Sequence, residues 1–216
     1  ERRTRIIEDI LGESEEQKDR LFKFVNDAIM LTTKVLEQRD WGAPGHERRV
    51  ALLSEAIARE LGYEQQRVEI VRAAALLHDI GMIAIPSAVL KKSGALAPFE
   101  RDLVRKHSAE GSRILEEVSF PLPLARIIRE HHERMDGSGY PDGLSGDAIC
   151  EEARILAVAD VVAAMTSDRP YRTAPGVDAA MKEIESNRGR IYDTRVADAC
   201  LSLFRNERFA FPPPAE

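Results

Sequence analysis

Apolar residues recur at three- and four-residue spacing along most of this chain, and no alternating run of strand length interrupts them, which predicts an all-α fold. Ser14-x-x-Gln17 has the form of a capping box, and Leu21, Phe22, Val25, Ile29, Thr33 and Leu36 follow it, so residues 14–39 read as one long helix. Its apolar seam is not sustained over three heptads, which favours a core-packing first helix over a signalling coiled coil. Trp41-Gly-Ala-Pro-Gly45 breaks the pattern. A second helix is predicted over 46–61 with Gly62 as its C-cap, and a third over "RVEIVRAAALLHD", whose Ala-Leu face requires deep burial. "GMIAIPSAVL" is short and broken by proline, and "PFERDLVRKHSAEGSRILEEV" reads as one helix. Pro121 and Pro123 separate it from a helix at 124–134. Beyond the Gly-rich "DGSGYPDGLSG", a buried helix is predicted over "EEARILAVADVVAAMTS", then two more at 176–187 and 194–207. The expected organisation is an N-terminal helical segment over 1–40, one compact helical bundle over 41–208 and a Pro-rich tail over 209–216.

With 44% hydrophobic residues among 216, the chain can bury a substantial core. A formal charge of −6, with both signs dispersed, argues against binding a nucleic acid polymer or a polybasic membrane contact, and an anionic ligand then needs a local cationic pocket. No run of 18 apolar residues predicts membrane insertion. Cys150 and Cys200 form neither a disulfide framework nor a thiolate zinc site, and they suit a reducing, cytoplasmic setting. Because the chain opens on Glu1 inside a charged helical pattern, it is expected to be a piece of a longer protein.

The candidate chemistry lies in five histidines: His46, His78, His107, His131 and His132. One histidine on an apolar helix is ordinarily a satisfied core residue. Five, at or near the ends of four predicted helices, form the arrangement by which a bundle builds a metal site from inward-facing side chains. Asp160, flanked by apolar residues in "ILAVADVVAAM", must be metal-bound, hydrogen-bonded or held by an arginine. Asp79 follows His78 directly, and a carboxylate can bridge two cations where a neutral imidazole cannot. These seven residues therefore point to a dinuclear centre, in which two ions about 3.5–4 Å apart clamp a phosphodiester and lower the pKa of a shared water towards ~7. "HERMD" lacks the second histidine of H-E-x-x-H, no Glu-x-x-His occurs, and neither a Walker A loop nor a G-x-G-x-x-G fingerprint is present.

In order along the chain, "HERRV" at 46, "LLHDIGMIAIP", "KHSAEGSRIL", "HHERMDGSGYP", "RILAVADV" and "DRPYR" resemble the successive signatures of the HD-GYP domain, a subgroup of the HD phosphohydrolases. The match runs from about residue 35 to 205. It implies a helical phosphodiesterase that opens cyclic di-GMP to the linear dinucleotide pGpG, and in some members to GMP, by a hydroxide activated on two metal ions, usually Fe or Mn. His78 and Asp79 are the implied catalytic pair. His46, His78, Asp79 and Asp160 are implied to hold one ion, and Asp79 to bridge to a second completed by His107, His131 and His132. Arg169, Tyr171 and Arg172 are expected to contact substrate, since a guanidinium fork matches phosphate and a ring offers a face to a purine; the alternative is a helix end with surface arginines. The GYP loop, with Asp136, Gly137, Gly139, Tyr140 and Pro141, is expected to form a lip over the pocket or a docking surface for a diguanylate cyclase (GGDEF) partner. In it, Glu133 and Asp136 are expected to fix the helix end and loop by hydrogen bonds. An upstream sensory or receiver domain and a homodimer are further expectations.

Three positions depart from the family pattern. Met82 stands where family members commonly carry a lysine thought to contact the scissile phosphate, and Ala163 where a second aspartate is usual. Gly42 occupies the place of a carboxylate that in some members binds a third ion, although Glu37 and Asp40 are near; two ions are expected. An active phosphodiesterase is the favoured reading. The alternative is a catalytically weak domain that binds metal and a nucleotide or partner protein. A di-iron protein of oxygen or redox chemistry is disfavoured by the arginines.

Overall fold

The computed structural model describes residue 20 and residues 23–36, 45–92, 94–118, 123–168 and 173–212. Helix α1 covers residues 23–36, the part of the predicted first helix that is described; the capping box and the Trp41 break lie outside the described residues. Then follow α2 (His46–Glu60), α3 (Gln65–Leu77), a 3-10 turn (Ile80–Ala84), α4 (Ser87–Leu90), α5 (Pro98–Arg105), α6 (His107–Glu116) and α7 (Leu124–Glu130). A second 3-10 turn (Gly146–Ala148), α8 (Glu151–Met165), α9 (Val177–Ser186) and α10 (Thr194–Arg205) complete the order. The class is all-α, and among the described residues the extended pairings are two isolated bridges, Asp136 with Ser145 and Arg188 with Tyr192.

The most apolar stretches take the centre. α8 buries Ala153, Ile155, Leu156, Ala157, Val158, Ala159, Val162 and Ala163 over most of its circumference, as a helix without a polar face must. α2 lays Val50, Leu53, Ile57 and Ala58 against it, and α3 packs Val68, Val71 and Ala73 to Leu77 on α2. Gly62, at φ 78, ends α2 as expected: the Tyr63 N–H reaches the Ala58 carbonyl and the Gly62 N–H the Arg59 carbonyl, both at 3.0 Å. α1 docks through Ile29 and Leu36, and its Thr33 hydroxyl donates to the Leu76 carbonyl at 3.1 Å, satisfying an acceptor in the last turn of α3. At the other end of the chain, Phe209 and Phe211 pack against the core, Arg208 pairs with Glu60 at 2.7 Å, and the Arg49 guanidinium lies 3.7 Å from the Phe211 ring centre.

Two predicted helices are corrected. The one expected across 98–118 is two, divided at Lys106. There the Val104 carbonyl accepts from His107 Nδ1 at 2.8 Å and the Arg105 carbonyl from the Ser108 hydroxyl at 3.3 Å, so side chains take acceptors that a continuous helix gives to backbone N–H groups. The one expected over 124–134 stops at Glu130, because the Glu133 side chain folds the chain back on itself, as described below.

The divided helix also receives the turn after Asp79. A Cβ on Gly81 would lie 1.9 Å from the His107 carbonyl oxygen and 2.5 Å from the Gly111 nitrogen, both backbone atoms unable to move aside. Gly81→Ala is therefore expected to lower stability by on the order of 3 kcal/mol, read as a fall in thermal midpoint, whereas Gly94→Ala, with no atom within 4 Å of its added Cβ, shifts it little. Equal midpoints for the two variants would contradict this crossing.

Candidate metal centre

Helix ends bring the predicted site residues to one place. His46 is the first residue of α2, His78 caps α3 and Asp79 opens the 3-10 turn. His107 starts α6, His131 and His132 follow α7, and Asp160 projects from the middle of α8. The five imidazoles form one ladder of ring contacts from His46 through His78, His131 and His107 to His132, with centre separations between 4.0 and 5.6 Å. Nitrogen and oxygen atoms within 4.8 Å of one another define two groups: His46, His78 and Asp79, and His107, His131 and His132. Asp79 stands between them, with one oxygen 3.1 Å from His78 Nε2 and the other 3.3 Å from His107 Nε2. Asp160 places one oxygen 3.1 Å from His46 Nε2 and the other 4.0 Å from His132 Nδ1. Its partners are thus histidines, and the arginine alternative finds no support among the described residues.

The hydrogen-bond pattern sets the ring tautomers. His78, His107 and His131 each direct Nδ1 at a backbone carbonyl three residues earlier, Ala75, Val104 and Ile128, at 2.8, 2.8 and 2.6 Å. A carbonyl only accepts, so Nδ1 carries the hydrogen, and Nε2 of a neutral ring is a bare lone pair. His107 Nε2 and His131 Nε2 face one another at 3.3 Å in a place where both are 1% exposed or less. Two converging lone pairs repel unless a cation or proton lies between them. This is the donor arrangement of histidine metal ligands, whose second nitrogen is fixed by a carbonyl. His46 Nδ1 is buried without a partner.

Charge is divided unevenly. Burial disfavours a proton on His78, but Asp79 beside it outweighs burial and pushes its pKa up to about 10. Burial together with His78 and His107 pushes His131 down to about 3, and burial with His131 lowers His132. Burial would raise the Asp79 and Asp160 carboxyls, but His78 and His46 respectively hold them lowered, so both are ionised. Two anionic carboxylates beside imidazoles of which His131 and His132 resist a proton suit divalent metal ions.

The GYP loop closes one side. The Tyr140 N–H donates to the His132 carbonyl at 3.2 Å, and the two rings meet at a tilt with centres 4.7 Å apart. Burial, with Asp160 and Asp79 nearby, raises the Tyr140 phenol, which stays protonated. Glu133 accepts from the N–H groups of Asp142, Gly143 and Leu144 at 2.7, 3.1 and 3.0 Å, and Asp136 from the Ser138 N–H and hydroxyl, which are the hydrogen-bonding roles expected of them. Gly137 sits at φ 77; Gly139 is needed for space, since its Cβ would fall 2.4 Å from Glu133 Cα. Glu133→Ala strands three N–H groups and is expected to cost about 3 kcal/mol, seen as faster amide exchange at Asp142–Leu144; unchanged exchange would show that the loop is held elsewhere.

Arg169, Tyr171 and Arg172 lie outside the described residues. Met82 is 8% exposed in the turn after Asp79, and Ala163 is fully buried in the core, where a carboxylate would be desolvated. One group the sequence reading missed is Glu47, 3% exposed beside His46, His78 and Asp79, with its pKa raised by burial. An acid in the first turn of a helix is so common that its position carried no signal.

The HD domain family model matches residues 30–196. The chain belongs to the HD domain family. A cyclic di-GMP phosphodiesterase response regulator of Xanthomonas campestris pv. campestris is 44% identical over 170 residues, covering 78% of this chain and 45% of that protein. The 3′3′-cGAMP-specific phosphodiesterase 3 of Vibrio cholerae is 39% identical over 71% of this chain and 34% of its own length. Among solved structures, an HDG"Y"P protein from Bdellovibrio bacteriovorus superposes with a TM-score of 0.61 at 22% identity, covering 74% of this chain and 51% of that one. The HD-GYP resemblance read from the motifs is borne out. This HD domain spans about half or less of the length of these relatives. None of its described helices is long and apolar enough to cross a membrane.

Proposed function

We propose that this HD domain is a cytoplasmic, metal-dependent phosphodiesterase that opens cyclic di-GMP to pGpG, and in a further step to GMP. The observation that carries the reading is the pair of bare imidazole nitrogens at 3.3 Å with both Asp79 oxygens turned towards the two histidine groups. His46, His78, Asp79 and Asp160 would hold one ion, and His107, His131 and His132 with Asp79 a second, Fe or Mn. Such ions supply Lewis-acid activation of a water and positive charge at the phosphodiester. The chain's own residues do the rest. Backbone carbonyls of Ala75, Val104 and Ile128 orient three rings, and Tyr140, in contact with the His132 ring, keeps a neutral hydroxyl at the lip. The exposed Asp136, Ser138, Pro141 and Asp142 form the loop face that would dock a diguanylate cyclase. An upstream sensory or receiver domain would regulate the site, and a homodimer is the assembly in which it would do so.

The name of the Vibrio relative favours a second substrate, the hybrid 3′3′-cGAMP. A catalytically weak, ligand-binding domain is the other reading, supported by Met82 and by Ala163 in the core. Anaerobic protein loaded with Mn(II) or Fe(II), offered both cyclic dinucleotides, separates the three: faster pGpG release from cyclic di-GMP is expected. Preference for the hybrid would move the substrate, and binding without turnover of either would favour the weak domain.

A further inference from the structure

Before any metal binds, the site is rich in carboxyl groups. Asp79 and Asp160 lie within it, Glu47 is buried beside them, and the whole chain carries −6. A cyclic dinucleotide brings two diester phosphates, hence two further negative charges. Ions held at the histidine groups would offset Asp79 and Asp160 and meet the phosphate that is cut, and a cation from the protein would suit the other.

Two guanidinium groups among the described residues act on Tyr140, those of Arg134 and Arg105. Arg134 is tied to the backbone, donating to the carbonyls of Glu133 at 3.0 Å and His131 at 3.3 Å. Arg105 is placed otherwise. Its guanidinium carbon lies 5.3 Å from the Tyr140 ring centre, its side chain is 58% exposed, and its ion pair with Asp102 is a 3.7 Å surface contact between exposed groups, which holds it weakly. Its backbone is nevertheless fixed to the site. Arg105 ends α5 two residues before His107, its carbonyl accepts from Ser108 at 3.3 Å, and the Gly81 turn lies against the His107 backbone. The tilted, contacting rings of His131, His132 and Tyr140 thus lead from the metal ligands to a guanidinium that has spare donors and faces solvent.

We propose that Arg105 receives the non-scissile phosphate of the cyclic dinucleotide and so acts as a specificity residue, favouring dinucleotides over diesters that carry a single phosphate. The planar fork fits two phosphate oxygens, and the Tyr140 face limits its orientation. This inference rests on the phosphodiesterase reading above.

The test compares Mn(II)-loaded wild type, Arg105→Ala and Arg105→Lys on cyclic di-GMP and on bis(p-nitrophenyl) phosphate, which has only the phosphate to be cut. In Arg105→Ala, kcat/KM for cyclic di-GMP is expected to fall by about tenfold more than for the small diester, through KM, and Arg105→Lys is expected to recover part of the loss. If wild type cleaves both compounds and the ratio between them is unchanged in Arg105→Ala, this inference is overturned and the phosphodiesterase reading stands. If wild type cleaves neither, the reading fails and the inference with it.

Discussion

Asp79→Ala is expected to lower cyclic di-GMP turnover by at least about a thousandfold, some 4 kcal/mol of barrier, and to reduce the metal held by the protein. Asp79 turns one oxygen to each histidine group at close range, 3.1 Å to His78 and 3.3 Å to His107, whereas Asp160 lies 3.1 Å from His46 but 4.0 Å from His132. Removing it takes a ligand from both ions at once and leaves His78, 1% exposed, without its carboxylate neighbour. The metal-free variant is expected to fold, since Asp79 sits in a turn whose packing is carried by Gly81 against His107 and Gly111. Kinetics, metal content and thermal unfolding on one preparation separate a lost site from a lost fold. Full activity in Asp79→Ala would end the dinuclear account.

Met82→Lys is expected to act in the opposite direction, raising kcat by a factor of tens to several hundred, equivalent to about 2–4 kcal/mol of transition-state charge stabilisation. Met82 lies in the 3-10 turn immediately after Asp79, its N–H bonded to the Asp79 carbonyl at 2.9 Å, so a cation at this position starts close to the reacting phosphate. At 8% exposure the methionine is nearly covered, and an ammonium there needs an anion or a path to solvent along its own stem. A modest fall in thermal midpoint with a large rise in kcat is the expected pattern. A fall in midpoint with kcat unchanged would mean that position 82 does not face the substrate.

The sequence made the site more legible than the helices around it. Histidines and acids at helix ends announce themselves by residue type, because imidazole and carboxylate seldom crowd together without a cation, and the residues from His46 to Asp160 do converge. The break at Lys106 was hidden, since hydrogen bonds from His107 and Ser108 to backbone carbonyls leave the apolar periodicity of "PFERDLVRKHSAEGSRIL" intact. The early stop of α7 was hidden for a similar reason: only the folded loop shows the Glu133 carboxylate taking three N–H groups ten or so residues later. Gly139 could be noticed as a glycine, but its cause is a backbone crossing at 2.4 Å rather than a positive φ. Glu47 and Arg105 gave no warning. Each resembles an ordinary charged residue near a helix end, and only their burial or their place beside Tyr140 sets them apart.

The central claim is that two divalent ions, shared by Asp79, perform the hydrolysis. Its most direct measurement is metal content per chain against initial rate of pGpG formation, as metal-free protein is titrated anaerobically with Mn(II). The account predicts that the rate reaches its plateau at two ions per chain and stays near zero while mainly one is bound. A plateau at one ion, or pGpG formation by metal-free protein, would contradict it.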